Sequence, residues 1–198
     1  MTKKDLNYFG HYTTHTYYVV LAWKAIRGEL WCHDKLTKEE FDQINRMIAW
    51  HDQTKMDASE WMPYAEWFYG NHDDENAKIE YKEAVQKHKK KNLHHFESLG
   101  DYKGPYWKCY IIELVCDYIA MGWEFDNYIL EYYATKKEEI RLPDDYKEYL
   151  ESILEILRNT ELLEIVESPL TEEKKTKLDF FYDIIISEED PQKTYSIY

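Results

Sequence analysis

The segment AWHDQTKMD, residues 49–57, places an imidazole, a carboxylate and an ammonium group close together in the chain. His51 stands directly before Asp52, and Lys55 follows the histidine by four positions, so His51 and Lys55 are predicted to project from one helix face. Neutral imidazole and carboxylate are donors that Mn, Fe, Co, Ni and Zn accept in proteins. A histidine at a helix C-terminus, where its positive charge offsets the helix dipole, is an ordinary alternative. The segment therefore poses a choice between a metal site and a solvated helix end.

Further histidines and acids lie on apolar helix faces or in a loop, each in a different segment. In chain order, the candidate residues are His15, His51, Asp52, His88, His94, His95 and Asp117. His15 alone fits a half-buried side chain, His88 fits the basic run HKKKN, and the adjacent pair His94 and His95 fits a loop. Asp117 is harder to explain in this way, because it lies in the apolar segment IIELVCDYIAM, where an unpaired carboxylate is costly. A helical bundle can bring such residues to one interior point.

Helical spacing of apolar residues dominates the chain, and strand-like alternation is nearly absent, so the sequence predicts an all-α protein. Thr37 followed by Glu40 is a capping-box pattern at the start of the second helix. The segment after Pro143 carries none of the candidate residues, so residues 143–198 are predicted to be a C-terminal helical appendage packed on the domain, or an oligomer surface. The predicted helices span roughly 5–27, 37–52, 57–69, 75–92, 106–123, 127–134, 143–158 and 171–186, with a loop over 94–105.

Composition restricts the partners and the location. The 198 residues include 25 basic and 39 acidic ones, which gives a net charge of −14. That charge disfavours duplex nucleic acid, whereas a small anion remains compatible if bound metal inverts the local potential. Three cysteines without a CxxC spacing predict neither a disulfide framework nor a cysteine zinc site. With no membrane-length apolar run and no signal-peptide h-region, the sequence predicts a cytoplasmic protein without a membrane partner.

The order H…HD…H…HH…D resembles the HD-domain superfamily of metal-dependent phosphohydrolases. The resemblance implies an HD-domain-like helical bundle over residues 1–142 that binds one or two divalent ions of Mn, Fe, Co, Ni or Zn. HDQTK is similar to the HDxGK of HD-GYP phosphodiesterases, with Lys55 in the lysine position. The resemblance implies a first ion bound by His15, His51, Asp52 and Asp117, and a second bound by the bridging Asp52 with His88, His94 and His95. Which of the two adjacent histidines is a ligand stays open.

A second resemblance covers residues 5–142. The segments HDQTKMDASEWMPYAEWFYG, HKKKNLHHFE and IIELVCDYIAMG are similar to an uncharacterised family, domain of unknown function 5662. This likeness supports the metal-site interpretation and implies no substrate.

The resemblance to phosphohydrolases implies hydrolysis of a phosphate ester or anhydride in a small nucleotide-type substrate. Two ions bridged by Asp52 would lower the pKa of a water molecule that attacks phosphorus. Lys55 would bind the non-bridging oxygens or protonate the leaving oxygen, although an exposed lysine at a helix end is an equal alternative. Glu113 would orient a ligand histidine, or pair with a lysine of another helix. Aromatic candidates for base stacking, each also explained by core packing, are Trp50, Tyr64, Trp67 and Tyr118.

Two other classes of function stay open. The chain is compatible with a non-catalytic HD-like module that sequesters a nucleotide signal or a partner protein, as a phage-borne protein would. It is also compatible with a purely structural metal site. The basic run at residues 89–91 either steers a phosphate or forms a solvated face. A zinc deaminase and a zincin protease are disfavoured because their HxE…PCxxC and HExxH patterns do not occur.

Overall fold

The computed structural model of the protein describes residues 2–167, and helices are the only regular secondary structure over that range. A 3₁₀ helix, Gln53–Met56, lies between the second and third α-helices. The chain is therefore an all-α helical bundle, as the spacing of its apolar residues predicts. The α-helices of the described range, α1 to α9, are Lys3–Cys32, Lys38–Ala49, Ala58–Tyr69, Glu75–Lys91, Phe96–Leu99, Trp107–Phe125, Ile129–Lys136, Asp144–Asn159 and Leu162–Glu167.

Side-chain caps fix where the first two helices begin. The Thr37 hydroxyl accepts a hydrogen bond from the Glu40 N–H, and the Glu40 carboxylate accepts one from the Thr37 N–H at 2.8 Å. This is the capping box that the sequence predicts for α2. Thr2 and Asp5 form the same reciprocal pair ahead of α1. Helix α1 consequently starts earlier than the predicted residue 5, and it continues to Cys32, past the predicted end at residue 27.

The main hydrophobic core forms where α1 packs against α6, the most extensive helix pair of the bundle. Ile26 of α1 and Ile112 of α6 have no solvent exposure. Helices α2, α8 and α9 close around this pair, and Leu157 and Val166 belong to the same core. Each such side chain stabilises the fold by about 1.5–3 kcal/mol through its removal from water. The pair α1–α6 therefore provides a rigid frame for polar side chains that the same helices carry.

A second, smaller apolar cluster lies under α3 and α4. It contains Tyr8 of α1, Tyr64 and Ala65 of α3, and Ala84 of α4. The main packing partners of α4 are α3 and α5. The helices α3 and α4 therefore form a unit that joins the bundle through its own small core.

Several boundaries differ from the sequence predictions. The segment predicted as a loop over 94–105 contains the short helix α5, and α9 has no counterpart among the predicted helices. The helix predicted over 171–186 lies outside the described residues, and the division into residues 1–142 and 143–198 stays a prediction. Within residues 2–167, no helix combines the length and apolar character needed to cross a bilayer.

Candidate metal centre

Seven histidine and aspartate side chains converge on one buried region, and they separate into two groups. Within each group the potential ligand atoms all lie within 4.8 Å of one another. Two atoms that each lie about 2.1 Å from one ion are at most about 4.2 Å apart, so either group needs only small side-chain movements to surround an ion. Subsite 1 consists of His15, His51 and Asp117, and subsite 2 consists of Asp52, His88, His94 and His95.

Asp52 faces both subsites with different oxygen atoms. Its Oδ1 lies 2.9 Å from Nε2 of His88 and 3.2 Å from Nε2 of His94, both in subsite 2. Its Oδ2 lies 3.7 Å from Nε2 of His15 and 3.6 Å from Nε2 of His51, both in subsite 1. This is the geometry of a carboxylate that can bridge two ions. The structure brings both His94 and His95 into subsite 2. Their positions therefore do not distinguish one of them as the ligand.

The inward-facing atoms of the cluster are buried and, within the described residues, have no hydrogen-bond partner. A buried polar atom without a partner costs about 1–3 kcal/mol, so several such atoms at one point need an explanation. His88 Nε2 and Asp52 Oδ1 are only 2.9 Å apart, yet neither atom makes a hydrogen bond. Buried donor atoms that lie close together without partners form a set that a bound ion could satisfy. They are Nε2 of His15, His51, His88, His94 and His95, together with Oδ1 of Asp52.

The backbone at the His51–Asp52 doublet explains how both side chains face inward. Helix α2 ends at Ala49 with Trp50 as its C-cap, so His51 lies beyond the helix. Asp52 adopts a left-handed conformation, with φ 58° and ψ 19°, at the start of the 3₁₀ helix. Aspartate tolerates this conformation better than most residues. The prediction that His51 and Lys55 share one α-helical face is therefore wrong, because the chain changes direction between them.

Lys55 nevertheless reaches the cluster. Its Nζ lies 2.5 Å from Oδ2 of Asp52, and its side chain is 19% exposed. Burial lowers the pKa of Lys55, but the adjacent Asp52 carboxylate outweighs it and raises the pKa above its usual value. Lys55 is therefore a fixed cation beside the Asp52 carboxylate rather than a solvated lysine at a helix end.

Carboxylates contact the outer nitrogen atoms of four of the histidines. Glu113 Oε1 lies 3.0 Å from Nδ1 of His51 and 3.5 Å from Nδ1 of His94. Glu60 Oε2 lies 2.9 Å from Nδ1 of His88. A carboxylate oxygen can only accept a hydrogen bond, so each such Nδ1 carries a hydrogen, and Nε2 is the nitrogen left to face the centre. This is the carboxylate–histidine arrangement that orients ligands in metal sites.

His15 receives the same support from Glu124, whose Oε2 lies 2.9 Å from its Nδ1. Of these carboxylates, only Glu113 is predicted from the sequence, whereas Glu124 and Glu60 are not. Glu124 follows Asp117 by seven residues, two helical turns along the same face of α6, which is a signal that the sequence does contain. Glu60 follows Asp57 by three residues, and this spacing has an ordinary explanation as a helix cap. Its complete burial is visible only in the fold.

The two aspartates of the cluster and His95 are in the ionisation states that metal binding needs. Burial raises the pKa of Asp52, but Lys55 and the surrounding imidazoles outweigh it and hold that pKa well below the usual range. The same competition, with His15 and His51 as partners, holds the pKa of Asp117 well below the usual range. Burial and the neighbouring His94 lower the pKa of His95 to about 2, which keeps its imidazole neutral. Ionised carboxylates and a neutral imidazole are the forms that bind metal.

A cavity of about 270 Å³ adjoins the cluster. Residues of both subsites line it, among them Asp117 and His95, and so does Lys55. Of the aromatic residues proposed from the sequence for base stacking, Tyr64 and Tyr118 line the cavity. Trp50 does not, and its side chain is 67% exposed. The remaining candidate, Trp67, is stacked on Tyr81 with ring centroids 4.9 Å apart.

The basic run divides in the same way. Lys89 lines the cavity and pairs with Glu97 at 2.7 Å, whereas Lys91 pairs with Asp57 at 3.0 Å. Lys90 is neither a cavity residue nor part of the cluster, so only one lysine of the run is placed to meet a ligand.

Together these features define an all-α protein with a buried histidine–carboxylate cluster arranged around two adjacent points. The chain belongs to the family of unknown function DUF5662, whose family model matches residues 4–161. Neither the curated proteins nor the solved structures contain a match to this chain. The membership covers the described cluster in full and assigns no activity.

Proposed function

We propose that this protein is an HD-type metal-dependent phosphohydrolase that acts on a phosphate ester or anhydride of a small nucleotide-type molecule. The observation that carries the proposal is the set of inward-facing, unpaired ligand atoms in two groups that share Asp52. Two adjacent ions bridged by one carboxylate are a recurring device for phosphoryl hydrolysis. The order of the residues along the chain, H…HD…H…HH…D, supports the HD-type assignment.

The donor set favours transition metals. Five imidazoles and two carboxylates suit Mn, Fe, Co, Ni or Zn, whereas calcium and magnesium prefer cages made of oxygen. When bound, such ions polarise a phosphoryl oxygen and lower the pKa of water near them. The residues Glu113, Glu60 and Glu124 would hold the imidazoles in the orientation that this binding needs.

Lys55 stabilises charge on the substrate in this proposal. Its cationic Nζ beside Asp52 is available to the non-bridging oxygens of a phosphoryl group. As the oxygen of water bonds to phosphorus, the bond to the leaving oxygen breaks, and negative charge on the phosphoryl oxygens shifts during the step. A fixed cation placed in advance lowers the energy of that state. The raised pKa of Lys55 favours this role over proton donation to the leaving oxygen.

The charge and size of the site support a small anionic substrate. The protein as a whole carries a net charge of −14, which opposes polyanions such as duplex nucleic acid. Two divalent ions together with Lys55 would balance the charges of Asp52, Asp117, Glu60, Glu113 and Glu124, and the ions would be the positive charges that a substrate anion contacts. A cavity of about 270 Å³ is at the lower end of the range for small-molecule sites.

Metal analysis tests the first half of the proposal. Protein purified without chelator or affinity metal is expected to contain one to two equivalents of a transition metal by elemental mass spectrometry. Asp52→Ala and Asp52→Asn are expected to lose metal. Asp73→Ala is the matched control, because its side chain is 91% exposed and does not belong to the cluster. Folded wild-type protein that takes up none of the five metals on addition would refute the proposal.

Turnover tests the second half. Metal-loaded protein is expected to release phosphate or a nucleoside from one or more members of a panel of nucleoside mono-, di- and triphosphates and cyclic nucleotides. Metal-loaded protein that binds a nucleotide without turnover would instead support the non-catalytic module. Loading without either binding or turnover would support a structural metal site.

A further inference from the structure

Three helices each place one aromatic ring at the same wall of the cavity. His11 of α1, Phe68 of α3 and Phe125 of α6, here called the aromatic wall, all line the cavity. The ring centroid of His11 lies 4.7 Å from that of Phe68 and 6.2 Å from that of Phe125. These residues do not belong to the metal centre, and the proposed hydrolysis gives them no role.

The aromatic wall stays accessible to solvent. Phe68 is 37% exposed and Phe125 is 48% exposed, so neither ring is needed to fill the hydrophobic core. The stacked pair Trp67 and Tyr81 differs, because its rings are nearly parallel at 5° and cover each other. Exposed rings that cluster at a cavity, rather than singly on a surface, indicate a binding site.

The helices set the distance between the aromatic wall and the metal centre. His11 precedes the subsite 1 residue His15 by four positions, and Phe125 follows Asp117 by eight. At 1.5 Å per residue, these separations are about 6 Å and 12 Å along the helix axes. A nucleoside 5′-monophosphate spans a comparable distance from its phosphate to its base. Asn127, whose amide can both donate and accept hydrogen bonds, also lines the cavity.

We propose that the aromatic wall is a base-binding subsite, which holds the heterocycle of a nucleoside 5′-monophosphate while its phosphate lies at the metal centre. This inference rests on the proposed function, because it takes the phosphate to lie at the metals. Flat aromatic rings bind bases by stacking, which tolerates any of the four bases because each has a π face. The substrate class that follows is single nucleotides, because a cavity of about 270 Å³ has the size of a site for one small molecule.

The experiment compares an aromatic with a non-aromatic phosphate in four variants. The probes are the four common nucleoside 5′-monophosphates and ribose 5-phosphate, each tested for turnover and, by calorimetry on metal-loaded protein, for binding. Phe68→Ala and Phe125→Ala remove one ring each, and Phe125→Trp restores a ring. Phe9→Ala is the matched control, because Phe9 is also an exposed helical phenylalanine, at 44%, and does not line the cavity. Metal content is measured for every variant, since Phe125 adjoins Glu124.

The alanine variants at the wall are expected to raise KM or Kd for nucleoside monophosphates roughly 5- to 150-fold, the range for loss of one stacking partner. Ribose 5-phosphate should change less than twofold in every variant, and Phe125→Trp and Phe9→Ala should keep the wild-type preference. Equal effects on both kinds of phosphate, no effect at all, or no binding of nucleoside monophosphates would overturn the inference. Tighter binding of nucleoside monophosphates than of ribose 5-phosphate, without turnover of either, would support the subsite and refute the hydrolase. Equal turnover of nucleoside monophosphates and ribose 5-phosphate would support the hydrolase and refute the subsite.

Discussion

Glu113 contacts one histidine of each subsite, so its replacement by glutamine is expected to weaken both metal sites at once. In the protein, Glu113 Oε1 lies 3.0 Å from Nδ1 of His51 and 3.5 Å from Nδ1 of His94. Glutamine keeps the size of the side chain and an acceptor oxygen, but it removes the charge that strengthens both contacts. The substitution therefore changes the support of the ligands without removing any ligand.

The magnitude follows from the two distances. Loss of a carboxylate that supports a ligand histidine typically reduces metal affinity 10- to 100-fold, or about 1.4–2.8 kcal/mol. The contact to His51 has the length of a good hydrogen bond, whereas the contact to His94 is near the limit of one. We therefore expect a loss of roughly 100-fold at subsite 1 and roughly 10-fold at subsite 2.

Two matched variants separate this effect from general damage to the site. Glu124 contacts His15 of subsite 1, and Glu60 contacts His88 of subsite 2, each at 2.9 Å. Glu124→Gln is expected to weaken only subsite 1, and Glu60→Gln only subsite 2. Competition titration of metal-stripped protein with Co²⁺ or Zn²⁺ against a chelating dye resolves the two steps, and circular dichroism checks the fold. Two unchanged affinities in Glu113→Gln, or a double loss in all three variants, would refute the reasoning.

Three further predictions concern the lysine, the metal and the proton balance. Lys55→Ala is expected to keep its metal and lose roughly 10²- to 10³-fold in kcat, and Lys55→Arg is expected to recover part of that loss. Steady-state kinetics at equal metal content test this prediction, and an unchanged kcat would exclude a role for the charge of Lys55. If free metal is at 1,000 times its Kd, chelation removes about 4 kcal/mol from the free energy of unfolding. For a chain of this length, this loss corresponds to a fall in melting temperature of about 8–16 °C. A melting curve that does not respond to chelator would contradict a bound ion. Burial lowers the pKa of His51, but Asp52, Asp117 and Glu113 outweigh it and raise the pKa to about 10 in the metal-free protein. The stabilisation from that charged imidazole is complete below about pH 6.5 and is lost as the pH rises through 10. At pH 8 a metal ion must therefore displace this proton from His51. Calorimetry in buffers of different ionisation enthalpy should detect the released proton, and should detect less proton release in His51→Gln.

Local sequence patterns predict much of this fold, because helix starts and apolar faces are set by neighbours in the chain. The Thr37–Glu40 cap and the central apolar helix α6 are of this kind. The turn at Asp52 is different. Nothing in HDQTK requires a left-handed residue, and a continuing helix satisfies the local pattern equally well. The conformation at Asp52 follows from contacts with histidines that are distant in the sequence, so only the tertiary fold reveals it.

The candidate site also has residues that the sequence predicts and residues that only the tertiary fold reveals. Histidines and acids on apolar faces indicate in advance which side chains meet, and the structure brings together the seven residues that the sequence singled out. Their role as metal ligands stays a prediction. The supporting carboxylate Glu60 could not be found in this way, because its partner His88 is on another helix and its spacing from Asp57 resembles a cap.

The separate small core under α3 and α4 has a consequence for how the protein opens. His88 of α4 lies 2.9 Å from Asp52, so an ion bound by both residues would link this two-helix unit to the main core as a non-covalent cross-link. Without the ion, the unit is joined to the bundle by its small apolar core and by polar contacts between α1 and α3 such as Lys4–Glu66, which makes it a candidate for sub-global unfolding. Tyr64 of α3 and Tyr81 of α4 line the cavity, so local unfolding of this unit would also remove part of the cavity lining. Metal occupancy and ligand affinity are then thermodynamically linked, and amide exchange in α4 would slow as the ion binds.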